Sequence, residues 1–318
     1  MLILVHQKTK FPVAIYQVKK KELKNIRQLI PTAIKNTMRE LSFNPELIDR
    51  YLEHCGEIEF VRLRDRTHVS WVNRAGMQCA VHAIHRFEGR QSVFNDYFAH
   101  VNARFGTKHP ETNDHIYPCE VMAQELERMF DQPVYDFPAL ELTITLDYDD
   151  YPIRRRIIVP ADMKLSRFHK VLQRLFGWKD AHLHDFQLTN DEGELLRLVP
   201  YPEDVEWDES AVLITDQRLS DFFPAYRQMN YAYDFGVYWD HLIELVREID
   251  HYHQETPYVL EAIGNAPPED IGGSISYDDY LAICRDPKHP DHEIYNHWSL
   301  YWNPELSEHQ KRPHVLYL

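Results

Sequence analysis

Glycine is scarce in this chain, at 10 of 318 residues, and positive charge is in deficit: 35 Lys and Arg face 50 Asp and Glu, a formal net charge of −15. No segment is long and polar enough to read as disordered. The acidic balance disfavours nucleic acid as a partner, because any phosphate-binding face would work against the field of the whole molecule. The short basic run Arg154-Arg155-Arg156 does not reverse that. The cysteines Cys55, Cys79, Cys119 and Cys284 lie far apart with no CxxC, and no signal peptide is evident. Reduced thiols and a cytoplasmic location are therefore expected. No apolar run approaches the roughly 20 residues of a membrane span, so no membrane partner is expected. Absent too are GxSxG, a Walker loop, a glycine-rich dinucleotide fingerprint and HExxH, which leaves the common hydrolase, NTPase and dehydrogenase readings without support.

What is present suffices for two packed cores: 44% hydrophobic and 13% aromatic residues over a length comfortable for two domains. The expected fold class is α+β. Residues 1–131 read as a small α+β domain. It opens with strands at Met1–Val5 and Phe11–Tyr16, then a helical stripe from Leu23 to Leu41 that contains Pro31. Asn44-Pro45 opens a second helix. Strands are expected at Glu57–Leu63 and His68–Val72, a helix from Asn73 to about Arg104, and another over Glu120–Phe130. His82, His85 and His100 read as helix-surface or core histidines. Pro133 and Pro138 mark residues 132–138 as an extended linker.

The second domain, residues 139–318, reads as a mixed or antiparallel sheet roll with packed helices. Leu140, Leu142, Ile144 and Leu146 alternate with Glu141, Thr143 and Thr145, the pattern of a half-buried strand, and Ile153–Val159 returns as its hairpin partner. Asp162 is the expected cap of a helix carrying Leu165, Phe168, Val171, Leu172 and Leu175, and Gly177 ends it. In the strand that follows, His182, His184, Phe186 and Leu188 share one face. Strands are expected at Met229–Asp234, Tyr238–Glu248 and Pro257–Ala262. Helices are expected from Tyr277, capped by Ser276, and at Pro290–Trp298, before a tail of little pattern.

Three motifs stand in order: Gly177-Trp178-x-x-x-His182-Leu183-His184-x-Phe186, then Tyr233-Asp234-Phe235-Gly236-x-x-Trp239-x-His241, then Pro267-Pro268-Glu269-Asp270-x-Gly272-Gly273. Over roughly residues 139–300 the chain thereby resembles the plasmid pRiA4b ORF-3-like family, also labelled transposon-passenger TnpR-like. The resemblance implies an α+β fold, an association with mobile elements and no established reaction. A serine recombinase would need a nucleophilic serine, an arginine cluster and a DNA-binding helix pair. The acidic charge and the missing helix-turn-helix pattern speak against that. The chain departs from the family pattern at Val237, where an aspartate is usual, at Ala266, where a cysteine is common, and at Ile153, where a tryptophan often precedes the arginine. The N-terminal region is similar to a small bacterial domain of unknown function through Phe11-Pro12-Val13 and Asp65-Arg66-Thr67…Val72-Asn73-Arg74.

Two functions compete. One is a binding module for a protein or small ligand, contacting it through Trp178, His182, His184, Tyr233, Trp239 and His241, with aromatic residues such as Tyr231 and Tyr238 around them. The other is a metal-dependent hydrolase. Histidines two apart on a strand reach one cation, so His182, His184 and His241, with Asp240, are the expected ligands of zinc or another divalent metal. The candidate catalytic carboxylates are Glu269, Asp270 and Asp234, since paired carboxylates near a cleft can divide acid and base roles. Against this, Asp270 also fits plain turn or helix capping.

Overall fold

A computed structural model describes residues 1–318 except 16–17, 63–65, 87–102, 104–105, 110–111, 147–151, 190–192, 208–209, 215, 270, 272–273, 299–305 and 317–318. The chain divides into two compact units, Met1–Asp136 and Phe137–Leu318. In the first, β1 (Leu2–Val5) and β2 (Pro12–Ile15) form an antiparallel hairpin. Helices α1 (Ile26–Glu40), α2 (Pro45–His54) and α3 (Arg66–Arg86) follow. After the short strands β3 (Thr107–Lys108) and β4 (His115–Ile116) comes α4 (Pro118–Phe130). Phe11, Val13 and Ile15 are buried with Met38, Leu47, Ile48, Met122 and Leu126. At the start of α2 the Asn44 side chain accepts the Glu46 N–H at 2.9 Å, and Pro45 takes the first helical position. Pro31 is carried inside α1.

Two expectations for this unit are overturned. His68–Val72 is not a strand but the first turns of α3, because its shielded positions Trp71, Ala75 and Cys79 recur at helical spacing. His68 packs edge-on to Trp71, three residues on, at 4.7 Å between ring centroids. Residues 57–62 carry no strand either, and Phe60 and Val61 are exposed.

The second unit is α+β, built on a nine-stranded sheet among its described residues. In chain order the elements are β5 (Phe137–Leu146), β6 (Ile153–Pro160), α5 (Leu165–Phe176), β7 (His184–Thr189), β8 (Leu195–Val199), α6 (Pro202–Trp207), β9 (Val212–Leu213), β10 (Gln228–Tyr233), β11 (Trp239–Tyr252), β12 (Tyr258–Ile263), α7 (Ser274–Arg285), α8 (His292–Trp298), α9 (Glu308–Lys311) and β13 (His314–Val315). The sheet order is β13-β12-β6-β5-β11-β10-β7-β8-β9. Every described pairing is antiparallel except β8 with β9. The tail, which shows little pattern in sequence, supplies an edge strand. The strand expected from His182 begins at His184, α7 starts before Ser276, and α5 begins after Lys164 with no side-chain cap, so Asp162 does not serve there.

Alternation sorts the sheet into two faces. Leu142, Ile144, Trp239, Ile243 and Leu245 face inward with Phe168, Val171, Leu172 and Phe176 of α5 and Tyr277 and Tyr280 of α7. The other face carries Glu141, whose side chain is 0% exposed between Arg156 and Arg247. Arg247 is odd-numbered like the inward residues of β11. An irregularity between Leu245 and Arg247 shifts the alternation by one and brings Arg247 opposite Glu141, where its Nε donates at 2.7 Å. Burial alone would raise the Glu141 carboxyl, but the two guanidinium groups outweigh it and hold it below the usual range.

A carboxyl lowered by folding contributes stability above its unfolded pKa and loses it as pH falls through the folded one. Glu141→Gln should therefore cost about 1–3 kcal/mol near neutral pH. In urea denaturation of the full chain, the gap to the wild type should narrow as pH falls below about 4.5. A gap independent of pH would refute the charged role of Glu141.

Candidate functional site

The site forms where α5 ends. Gly177 takes the left-handed conformation at φ 78°, and the Trp178 N–H donates to the Gln173 carbonyl at 2.9 Å. Trp178 then turns into the core. Its indole stacks on Tyr233 at 4.9 Å and its Nε1–H donates to the Pro267 carbonyl at 2.9 Å. Glu269 closes the loop from the other side. Its carboxylate accepts the Lys179 N–H at 3.0 Å, the Ala181 N–H at 3.4 Å and the Tyr233 hydroxyl at 2.5 Å. Burial first, and then the bond to Glu269, push the Tyr233 phenol upward. All three sequence motifs thus meet at one place.

The expected metal set, however, is not brought together. His241 lies on β11 and His184 on β7, with β10 between them. Two strand spacings separate such positions by about 9–10 Å, too far for one cation. Tyr231 fills the gap, its ring centroid 5.9 Å from His184 and 5.3 Å from His241. His241 is fully buried against Phe176 and Trp178, and its Nδ1–H is shared between the Tyr231 and Trp239 carbonyls at 3.1 Å each. Burial lowers its pKa to about 3. Asp240 falls on the opposite face by alternation, where Asn230 Nδ2 donates to it at 3.3 Å.

The expected catalytic carboxylates have other employment. Asp234 sits at φ 59° and shapes the β10–β11 turn, accepting the Gly236 N–H at 3.1 Å, with His182 Nδ1 3.6 Å away. Glu269 holds the loop, as described. Asp270 lies outside the described residues. Trp178, Tyr233 and Trp239, expected as contact residues, are all buried.

A different polar cluster lies beneath the loop. His169 on α5 reaches Asp180 Oδ1 through Nε2 at 2.8 Å and the Tyr231 hydroxyl through Nδ1 at 2.9 Å. Gln173, one turn on, donates to the same hydroxyl at 3.0 Å and accepts the Asp180 N–H at 2.9 Å. His184 lies flat on His169, with ring centroids 3.5 Å apart and planes within 4°. It is 5% exposed, and neither ring nitrogen has a hydrogen-bond partner among the described residues. Burial, reinforced by His169, lowers its pKa to about 3, so it is neutral at pH 7. Burial would raise Asp180, but the His169 bond and the neighbouring His169, His184 and Lys170 outweigh it and lower it.

Residues 138–311 match the family described as plasmid pRiA4b ORF-3-like protein. The chain belongs to the plasmid pRiA4b ORF-3-like family. Residues 1–121 match a domain of unknown function, DUF6933. An uncharacterised protein, y4hQ of Sinorhizobium fredii (strain NBRC 101917 / NGR234), is 34% identical over 164 residues, 50% of this chain and 79% of that protein. Among solved structures, the chain is similar to the crystal structure of the protein of unknown function MM3350 from Methanosarcina mazei Go1. There the identity is 27% and the TM-score 0.49, over 54% of this chain and 95% of that one. No helix among the described residues is long and apolar enough to cross a membrane.

Within this pRiA4b ORF-3-like unit, sequence reasoning found His184 but missed His169, Gln173 and Asp180. The signal was there: His169 and Gln173 sit four and eight residues after Leu165, on the buried stripe of α5, where a polar pair needs partners. Glu269→Gln would turn a side-chain NH2 group toward backbone donors that now meet a carboxylate. Hydrogen exchange at the Lys179 and Ala181 amides should then quicken about tenfold, the equivalent of ~1.4 kcal/mol. Unchanged exchange at both amides would sink the assigned role of Glu269.

Proposed function

We propose that the pRiA4b ORF-3-like unit is a ligand-binding module that takes a polar group of a small ligand at His184, beside Asp180, in an accessory protein of the kind mobile elements carry. The observation that carries this reading is the orphaned imidazole. Around it His169, Gln173, Tyr231 and Tyr233 are all hydrogen-bonded, whereas both nitrogens of His184 are buried without a partner. An unmet buried polar group costs about 1–3 kcal/mol, a cost that an arriving partner removes. Solvent lies close by, because the side chain of Asp180, bonded to the His169 ring on which His184 stacks, is 50% exposed. The aromatic residues nearby are buried, so the opening favours a small ligand over a broad protein surface. Glu269 and Asp234 are engaged in holding loops, which weighs against the hydrolase alternative.

The test is thermal unfolding of the full chain against a panel of carboxylates, phosphates, amino acids, nucleotides and divalent metal chlorides. At about one hundred times its dissociation constant, a ligand adds ~2.7 kcal/mol, or a rise of about 5–10 °C for a unit of this size. At least one class should produce that rise in the wild type and not in His184→Phe. A panel that never distinguishes the two proteins would overturn the reading.

A further inference from the structure

We infer that His169, Asp180 and His184 form a binding site for a divalent transition-metal ion such as zinc, an assignment that names the ligand class for His184 and rests on the ligand-binding reading of that residue. One ligand atom from each of the three lies within 4.8 Å of the others. Two imidazoles and a carboxylate are a donor set for such ions, with remaining positions left to water. The set is distinct from the one the sequence pattern favours: it shares His184 but takes its partners from α5 and from the turn after it.

The surroundings fit the requirements of a cation. His169 is fixed on its far side by the Tyr231 hydroxyl, itself held by Gln173, the kind of outer contact that orients a ligating imidazole. With its proton on Nδ1, donated to the Tyr231 oxygen while the Tyr231 O–H turns away, His169 presents Nε2 to the ion. Asp180 supplies the negative charge and, being half exposed, lies on the way in. Parallel rings 3.5 Å apart point their lone pairs side by side. Two nitrogens on one ion, each about 2.0–2.1 Å from it, need the rings to splay. His184 has no hydrogen bond to break in turning, so the orphaned ring is also the one free to move.

The experiment uses the full chain prepared without a histidine tag, stripped with EDTA and titrated with zinc chloride. We expect about one equivalent bound and a rise in melting temperature that EDTA reverses. His184→Ala and Asp180→Asn should each weaken binding at least about 100-fold, beyond the tenfold to 100-fold typical of outer contacts. His182→Ala, which alters the other histidine of the same motif, should bind as the wild type does. Asp180→Asn, at a half-exposed position, keeps the test decisive should His184→Ala fail to fold. Less than about one-tenth equivalent on the wild type, or full binding by Asp180→Asn, would overturn the assignment. If zinc fails while an organic compound still acts through His184, the metal inference falls and the ligand reading stands. If nothing acts through His184, both fall.

Discussion

The carboxylate of Glu269 is the meeting point of three stretches far apart in sequence, and its need for donors sets the geometry of the rest. A half-buried carboxylate is best met by N–H or O–H groups. Those groups come from the Lys179 and Ala181 amides and the Tyr233 hydroxyl. The amides point the right way only because Gly177 and Asp180 both take positive φ, at 78° and 62°, turning the chain sharply as it leaves α5. That same turn swings the Asp180 side chain back to His169 and delivers His184 as the first residue of β7. Release of Glu269 would let the turn relax, and the pair of stacked histidines would lose its register.

A buried cation fastens the same segment from the other side. Arg155 is the inward member of the Arg154-Arg155-Arg156 run, 2% exposed, and its Nη1 donates to the Ile263 and Gly264 carbonyls at 2.8 and 2.9 Å. Its Nε reaches the Leu175 carbonyl at 3.2 Å, near the C-terminus of α5, where positive charge is favoured. Burial lowers its pKa to about 10, which leaves it charged at neutral pH. Between Arg155 at 263–264, Trp178 at Pro267 and the loop amides at Glu269, the segment after β12 is held against the end of α5 at three successive points. Such repeated polar fastening favours rigidity, and against it an imidazole with both nitrogens unsatisfied stands out.

Much of this was legible in the sequence, and what was not has a physical reason. Period-two alternation identified β5, because one face of the sheet is buried and the pattern is enforced. The glycine ending α5 was legible because few other residues accept its conformation. That His184 and His241 are not neighbours was not legible, because alternation gives a face and not a neighbour: the strand order places β10, with Tyr231 and Tyr233, between β7 and β11. Glu269 resembles a general base in sequence because two of its partners are backbone amides, which leave no residue signature. Parity alone would put Arg247 on the inward face, and the irregularity in β11 moves it to the other.

The departure from the family pattern at Val237 bears on this division. Val237 belongs to the turn shaped by Asp234, and its side chain packs against the hydrophobic cluster. The histidine that approaches Asp234 is His182. His169, Asp180 and His184, in contrast, belong to a single helix–turn–strand unit. Their mutual placement depends on the capping of α5, the turn through Asp180 and the pairing of His184 with Tyr233. None of those three passes through residue 237. A valine at that turn therefore leaves untouched the contacts that position the His169–His184 stack. The proposed site under the Gly177–His184 loop thus draws on none of the hydrogen bonds that shape the β10–β11 turn.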